Sequence, residues 1–177
     1  MYNSFKNLVL TRQSCRDFND KPLDKQTVLD IATLAMNSPS ACNSQPWQMY
    51  VVTDAEKVKA VAQSLQDYGH NLFTSKAKAF IVVAEKQATL KESVSKRFDR
   101  NHFVKYDIGE LVAYITLGAQ SLNVSSCIIG MINQDKLKSA VDMREDQVSN
   151  IVVALGYSDI ETRQKQRKQK SEIIIEV

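Results

Sequence analysis

The sequence predicts an α+β fold in which helices flank a mainly antiparallel central sheet. Segments with apolar residues at helical spacing are mixed with short β-branched runs, without regular βαβ alternation. No glycine-rich turn follows the first predicted strand, which disfavours a Rossmann fold. A chain of 177 residues with 44% hydrophobic and 24% charged residues can bury one core. We therefore expect residues 1–177 to form a single domain, with 158–177 as an extended C-terminal linker and strand.

Apolar spacing and polar caps predict three helices in the first half of the chain. The first helix ends near Thr11. Asp24 and Asp54 are placed as N-caps of the second and third helices, because a carboxylate there accepts hydrogen bonds from free backbone N–H groups. The second helix stops before Ser38. The apolar faces of these two helices are formed by Val28, Ile31, Ala32 and Ala35, and by Val58, Val61, Ala62 and Leu65.

Runs of β-branched and aromatic residues predict four strands. These runs lie at 47–53, 79–84, 126–130 and 149–157. Between the second and third strands, Asp107 and Glu110 form a capping-box pattern that predicts a central, buried helix running to about Leu122. Another short helix is expected to begin near Asp135, whereas 85–105 is polar and irregular with partly helical character.

The last six residues, 172–177 (EIIIEV), predict a terminal strand after a polar linker. Left unpaired, such an apolar strand would expose an edge prone to association. Pairing with a second subunit would resolve this. The alternative is a strand that folds back onto its own domain.

Composition excludes several classes of protein. Three widely spaced cysteines without a CxxC pair are typical of reduced thiols in a cytoplasmic protein. Only two histidines are present, which disfavours a multi-histidine metal site, and a net charge of +3 does not by itself indicate nucleic-acid binding. The N-terminus does not have the pattern of a secretory signal, and no apolar run reaches the roughly 18 residues of a membrane helix. We expect a soluble, cytoplasmic protein without a membrane, metal or nucleic-acid partner.

Two basic segments are candidates for binding an anion. Residues 12–16 (RQSCR) place a hydroxyl between two guanidinium groups, which suits a phosphate. The alternative for this segment is a solvated basic turn. The basic run 163–170 is typical of a solvated tail or of a non-specific polyanion contact, and no aromatic platform for nucleic-acid bases lies near it.

Two further segments suit a flat heteroaromatic ligand. Residues 38–47 (SPSACNSQPW) form a loop in which amides and small residues lie between two prolines. The alternative is an ordinary helix-to-strand connection with Trp47 as a core residue. Residues 125–130 form a strand ending in Gly130, where the backbone can approach a ligand closely, although the same pattern also fits a plain buried strand. No Ser/His/Asp or Cys/His set is assembled, so no side chain is proposed as the catalyst.

Taken in order, these motifs resemble the nitroreductase family. The pattern RxSxR is followed by PSxxNSQPW, DxGxxxxxxxLxAQSL, CIIG, ALGY and a KxR pair, over 12–177. The resemblance implies an α+β fold, an intertwined homodimer and one FMN per subunit at the interface. It also implies that NADH or NADPH donates hydride to FMN, which passes it to a nitroaromatic, a quinone or a similar acceptor in a ping-pong cycle. All of the chemistry then takes place on FMN.

The resemblance also assigns the FMN-binding positions. Residues 12–16 match the phosphate- and ribityl-binding segment, and 39–43 match a loop that reaches the partner subunit's flavin. Asn71 and residues 129–130 match ring contacts, and 165–167 match a basic pair that closes on the phosphate. The individual positions are Arg12, Gln13, Ser14, Arg16, Pro39, Ser40, Ala41, Asn43, Asn71, Ile129, Gly130, Lys165 and Arg167.

Three positions depart from the family's pattern. Gln13 lies where Arg or His is common, Cys42 where a small polar residue or Gly is usual, and Asn123 where Gly is common. Three other functions stay open at this point. They are a specialised family member such as a dehalogenase or an oxidase, a flavin-binding storage or sensor protein, and a small basic nucleic-acid-binding domain.

Overall fold

The computed structural model describes residues 1–67 and 69–177, together with the backbone of Tyr68. Its sheet has the strand order β1-β2-β4-β3, and all neighbouring strands are antiparallel. The strands are β1 Trp47–Val52, β2 Ala79–Glu85, β3 Ser125–Ile129 and β4 Val148–Gly156. The ends predicted for these four strands agree with the structure to within one residue. The predicted antiparallel sheet is therefore confirmed.

Helices flank the sheet, as predicted. They are α1 Tyr2–Thr11, α2 Lys25–Ala35, α3 Ala55–Ser64, α4 Glu92–Ser95, α5 Val104–Ser121, α6 Gln134–Val141 and α7 Lys170–Ile173. Both predicted aspartate caps are confirmed. Asp24 accepts a hydrogen bond from the Thr27 amide at 3.1 Å, and Asp54 accepts one from the Lys57 amide at 3.0 Å. Among the described residues, no helix is long and apolar enough to cross a membrane.

Two apolar clusters pack on opposite faces of the sheet. Strand β2 is buried on both faces, so alternate residues point into different clusters. Ile81 packs with α2 and α5, whereas Phe80 packs with α3 and α6. Because helices cover both faces, ligands have access chiefly at the strand edges and ends.

The predicted capping box at the start of the central helix is wrong. α5 begins at Val104, so Asp107 lies inside its first turn, where it is only 5% exposed. Its carboxylate accepts a hydrogen bond from the Ala41 amide instead of capping α5. The pattern identified the helix correctly but misplaced its start, because a distant loop uses the carboxylate. Within 85–105, the structure adds the short helix α4.

The predicted terminal strand at 172–177 is also wrong for the single chain. The helical turn α7 occupies Lys170–Ile173, with a reciprocal capping box between Gln169 and Glu172. The remaining residues have no regular structure, and the side chain of Ile175 is 82% exposed. The described residues offer this segment no neighbouring strand, so local capping determines its conformation. Exchange with a partner subunit stays a prediction.

Candidate functional site

A basic cleft of about 410 Å³ lies between the segment that follows α1 and residues 163–167. It brings together groups from the two ends of the chain. The described residues that line it include four cations and no carboxylate, so it suits an anion. The lining residues are Arg12, Gln13, Ser14, Arg163, Gln164, Lys165, Gln166 and Arg167.

The N-terminal wall of the basic cleft is fixed to the sheet. Ser14 forms a parallel bridge with Ser126, and the Cys15 amide donates to the Ser126 carbonyl at 2.9 Å. One turn earlier, the Gln120 side chain of α5 donates to the Thr11 hydroxyl at 3.3 Å. Ser14 and Cys15 therefore lie along the outer edge of β3, and Thr11 lies against α5.

Positive charges crowd inside the cleft. The Lys165 ammonium donates a hydrogen bond to the Arg12 carbonyl. Partial burial, followed by the charges of Arg12 and Arg167, lowers the pKa of Lys165 below its usual value. A bound anion would reverse this shift, because it would stabilise the charged ammonium.

Arg163 also lines the cleft, although it was not among the predicted cofactor-binding residues. Its Nη2 donates to the Ser14 carbonyl at 2.7 Å, and its Nε donates to Oε1 of Gln13 at 3.2 Å. The spacing of two from Arg163 to Lys165 to Arg167 was a usable signal. In an extended segment, alternate side chains share one face.

The predicted ring contacts lie toward the other end of β3. Ile129 is buried and Gly130 follows the strand, about 13 Å from Ser126 at the usual rise per residue. The Asn71 side chain donates to the Leu65 carbonyl at 3.1 Å. The adjoining Ser64 carbonyl accepts from the Asn133 amide at 2.8 Å, which places the Asn71 turn near the residues after Gly130.

Arg16 is exposed beside the same edge of the sheet. Burial raises the pKa of the Cys127 thiol, and the nearby charges of Arg16, Arg12 and Arg163 act in the opposite direction. Three guanidinium groups therefore lie within electrostatic reach of β3.

The predicted loop contacts, Pro39–Asn43, lie in a strained segment. Cys42, Asn43 and Gln45 adopt left-handed backbone conformations with φ of 55°, 54° and 47°. Within the loop, the Gln45 amide donates to the Ser40 hydroxyl at 2.9 Å. Asp107 of α5 holds the loop through its hydrogen bond with the Ala41 amide. The sequence pattern did not reveal this contact, because it predicts Asp107 as a helix cap.

The structure does not bring this loop to the basic cleft of the same chain. Asp107 contacts the loop near one end of α5, whereas Gln120 contacts Thr11 near the other end. These two positions are 13 residues apart, or roughly 20 Å along the helix axis at the usual rise. The predicted site residues therefore form two separated groups in one chain.

The sequence profile of the nitroreductase family matches residues 9–157. The chain belongs to the nitroreductase family. An oxygen-insensitive NADPH nitroreductase of Helicobacter pylori is 25% identical, over 96% of this chain and 94% of the relative. The predicted family membership is thereby confirmed, and relatives of this nitroreductase-family chain carry names of NAD(P)H-dependent oxidoreductases.

Solved structures confirm the predicted nitroreductase-like fold. A nitroreductase family protein from Streptococcus pneumoniae has a TM-score of 0.84 at 20% identity, covering 98% of this chain and all of that one. A protein from Clostridium difficile, described as an FMN-dependent nitroreductase, has a TM-score of 0.76 at 20% identity, covering 95% and 96%. At these identities, the likeness concerns the fold alone.

Proposed function

We propose that this nitroreductase-family protein binds FMN and passes hydride from NADH or NADPH to a nitroaromatic, a quinone or a similar acceptor. The observation that carries the proposal is the basic cleft, where Arg12, Lys165 and Arg167 converge without a carboxylate among the described lining residues. The relative from Clostridium difficile, described as FMN-dependent, supports the choice of flavin. FMN would supply the hydride chemistry, which side chains do not offer.

The cleft fits the phosphate end of FMN. Guanidinium and ammonium groups form charge-assisted hydrogen bonds to phosphate oxygens. Burial, followed by the charges of Arg12 and Arg167, lowers the pKa of Lys165, and a phosphate would provide the cleft with a counter-charge. Ser14, which lies between Arg12 and Arg16 in the sequence, also lines the cleft, and its hydroxyl suits the phosphate or the ribityl chain. The flavin ring would then lie farther along β3, where Ile129 and Gly130 can contact it and Asn71 lies nearby.

The separation of the loop Pro39–Asn43 from the cleft supports a shared site. The loop lies roughly 20 Å, measured along α5, from the cleft of its own chain. It can therefore contact a flavin that is bound by a second copy of the chain. We therefore assign this loop to the partner subunit's FMN in a homodimer. On this assignment, NAD(P)H and the acceptor use the same flavin face in turn, which gives a ping-pong cycle.

An apolar groove suits the second copy of the chain. It has a volume of about 360 Å³ between α1, α2 and α5, and its side chains are almost wholly apolar. Phe5 and Leu34 in this groove are about half exposed. Contiguous apolar surface of this kind is typical of a protein interface. Dimerisation through α5 would also place one loop near the other subunit's cleft.

The C-terminal tail suits an exchange between subunits. The outer edge of β3 is already paired with Ser14, whereas β1 forms the opposite edge of the described sheet. We propose that residues 172–177 pair with β1 of the partner subunit. Ile173, Ile174 and Ile175, which are exposed in the single chain, would then be buried.

An absorption spectrum of the purified protein tests the proposal. We expect a yellow protein that releases FMN, not FAD, on denaturation, and that bleaches on addition of NADH or NADPH. Reoxidation by a quinone or a nitroaromatic would establish turnover. Bound flavin that neither nicotinamide reduces would indicate a storage or sensor protein. A colourless protein that also fails to bind added FMN would refute the proposal.

A further inference from the structure

The side chain of Gln13 connects the N-terminal segment to the C-terminal strap, which we define as residues 158–170. Its Nε2 donates to the Glu161 carbonyl at 3.2 Å. Its Oε1 accepts from the Arg163 backbone amide at 3.1 Å and from the Arg163 guanidinium at 3.2 Å. Both polar atoms of Gln13 are therefore engaged by the strap.

Arg163 completes the connection from the other side. Its Nη2 donates to the Ser14 carbonyl at 2.7 Å, one residue beyond Gln13. The guanidinium thus bridges a side chain and a backbone carbonyl of the same wall. Ser14 is itself paired with Ser126 of β3, so these bonds connect the strap to the sheet.

Two further contacts hold the strap: the Asn19 side chain donates to the Asp159 carboxylate at 3.0 Å, and the Lys165 ammonium donates to the Arg12 carbonyl. Residues 158–169 contain no helix or strand in the structure, and most of them are exposed. Among the described residues, Arg167 donates only to the neighbouring Gln166 carbonyl, a contact that does not position it against the rest of the molecule. Ordering such a segment only when ligand binds would reduce affinity, because the binding energy would offset the lost backbone entropy.

We propose that Gln13 and Arg163 are positioning residues for FMN. They form a latch, the Gln13–Arg163 latch, that fixes Lys165 and Arg167 opposite Arg12 before the ligand arrives. This inference rests on the proposed function and reassigns Gln13 from phosphate contact to positioning. The phosphate is contacted by Arg12, Lys165 and Arg167, whereas the latch acts through them.

Riboflavin separates positioning of the phosphate group from general damage, because it lacks the phosphate. Titration of flavin-free protein with FMN and with riboflavin is the experiment. We expect Gln13→Ala and Arg163→Ala each to weaken FMN binding about tenfold, and riboflavin binding less than about twofold. The double variant should bind FMN about as weakly as the single variant with the lower FMN affinity, since both substitutions break the same latch.

Conservative and control variants separate the latch from a simple effect of charge. Arg163→Lys keeps the charge but loses the forked donor geometry, so it should weaken FMN binding nearly as much as Arg163→Ala. Lys168→Ala removes an exposed cation from the same strap and should change FMN affinity less than about twofold. Arg163→Lys also carries the test if Arg163→Ala does not fold.

The outcomes separate this inference from the proposed function. If the unmodified protein binds no FMN, both the proposed function and the proposed role of the latch are wrong. If that protein binds FMN and Gln13→Ala binds it equally well, only the latch is wrong. Fully additive losses in the double variant, normal binding by Arg163→Lys, or an equal loss of riboflavin binding would also overturn the latch.

Discussion

The carboxylate of Asp107 accepts a hydrogen bond from the Ala41 amide at 3.0 Å, across 66 positions in the sequence. The other carboxylate oxygen is buried and has no hydrogen-bond partner among the described residues. One contact from α5 therefore secures a loop in which three residues other than glycine have left-handed conformations.

We predict that Asp107→Ala lowers the free energy of unfolding by about 1–3 kcal/mol, because it leaves the partly buried Ala41 amide without its acceptor. Asp107→Asn keeps an oxygen acceptor and should retain most of this stability. Urea unfolding of both variants measures the difference. If the loop contacts the flavin ring, Asp107→Ala should also weaken riboflavin and FMN binding equally, unlike variants of the latch. Equal stabilities of the Ala and Asn variants would contradict the prediction.

Arg12→Ala and Arg167→Ala are each expected to weaken FMN binding by roughly 1.5–3 kcal/mol, at least tenfold. Both remove charged donors from the basic cleft. Lys91→Ala is a control, since Lys91 is exposed and lies far along the chain in the α4 N-cap position. Titration of flavin-free protein compares the three variants. Indistinguishable affinities would show that the cleft does not bind the phosphate.

The lowered pKa of Lys165 should give the proposed FMN binding a specific pH dependence. Below this pKa the ammonium is charged and available to a phosphate. As the pH rises through the lowered value, the proton is lost, so FMN affinity should fall at a lower pH than an ordinary lysine would produce. Calorimetry in buffers of different ionisation enthalpy should show proton uptake on binding in this alkaline range.

FMN affinity should fall as the pH rises, whereas the stability of the flavin-free protein should rise. Folding lowers the pKa of Lys165, so the unfolded chain binds more protons between the folded and unfolded pKa values. The free energy of unfolding contributed by this group therefore rises with pH across that window. Lys165→Met should remove both this rise and the alkaline loss of FMN affinity. A variant with unchanged pH profiles would contradict the assignment to Lys165.

Anaerobic turnover should proceed in two separable steps. We expect reduced protein to persist after NADH or NADPH is consumed, and to reoxidise when a quinone or a nitroaromatic is added. Steady-state kinetics should then give parallel double-reciprocal lines. Intersecting lines would mean that both substrates are bound together. That result would contradict a cycle in which NAD(P)H and the acceptor use the same flavin face one after the other.

Deletion of residues 171–177 should weaken both the dimer and FMN binding. Burial of Ile173, Ile174 and Ile175 in a partner would contribute on the order of 5 kcal/mol before ordering entropy is subtracted. The deletion also frees the far end of the strap that carries Lys165 and Arg167. Sedimentation and flavin content of the truncated protein measure the two effects. A tight dimer with full FMN content would show that the tail has neither role.

Much of this fold is predictable from local sequence. β2 was identified by its composition because burial on both faces requires a continuous apolar run. Asp24 and Asp54 were identified because a helix cap involves only residues within one turn. In each case, the sequence signal and the structural cause lie within the same few residues.

The failures involve contacts between distant residues. Asp107 has the local pattern of a cap, but a loop 66 residues earlier determines its role. Arg163 was included in a charged run, although Gln13 and Ser14 near the other terminus fix its position. The tail was predicted as a strand from its three isoleucines, whereas strand formation depends on a neighbouring strand. Local sequence patterns do not contain that information.

If the basic cleft binds FMN as proposed, its uncompensated charge would make the stability of the protein depend on the supply of flavin. A ligand that binds only the folded chain stabilises it by about 2.7 kcal/mol at a hundredfold excess over its dissociation constant. In the proposed holoprotein, riboflavin starvation would remove this contribution and leave the mutual repulsion of Arg12, Lys165 and Arg167. Newly made chains would then be more exposed to proteolysis, so vitamin status would regulate the amount of the enzyme as well as its activity.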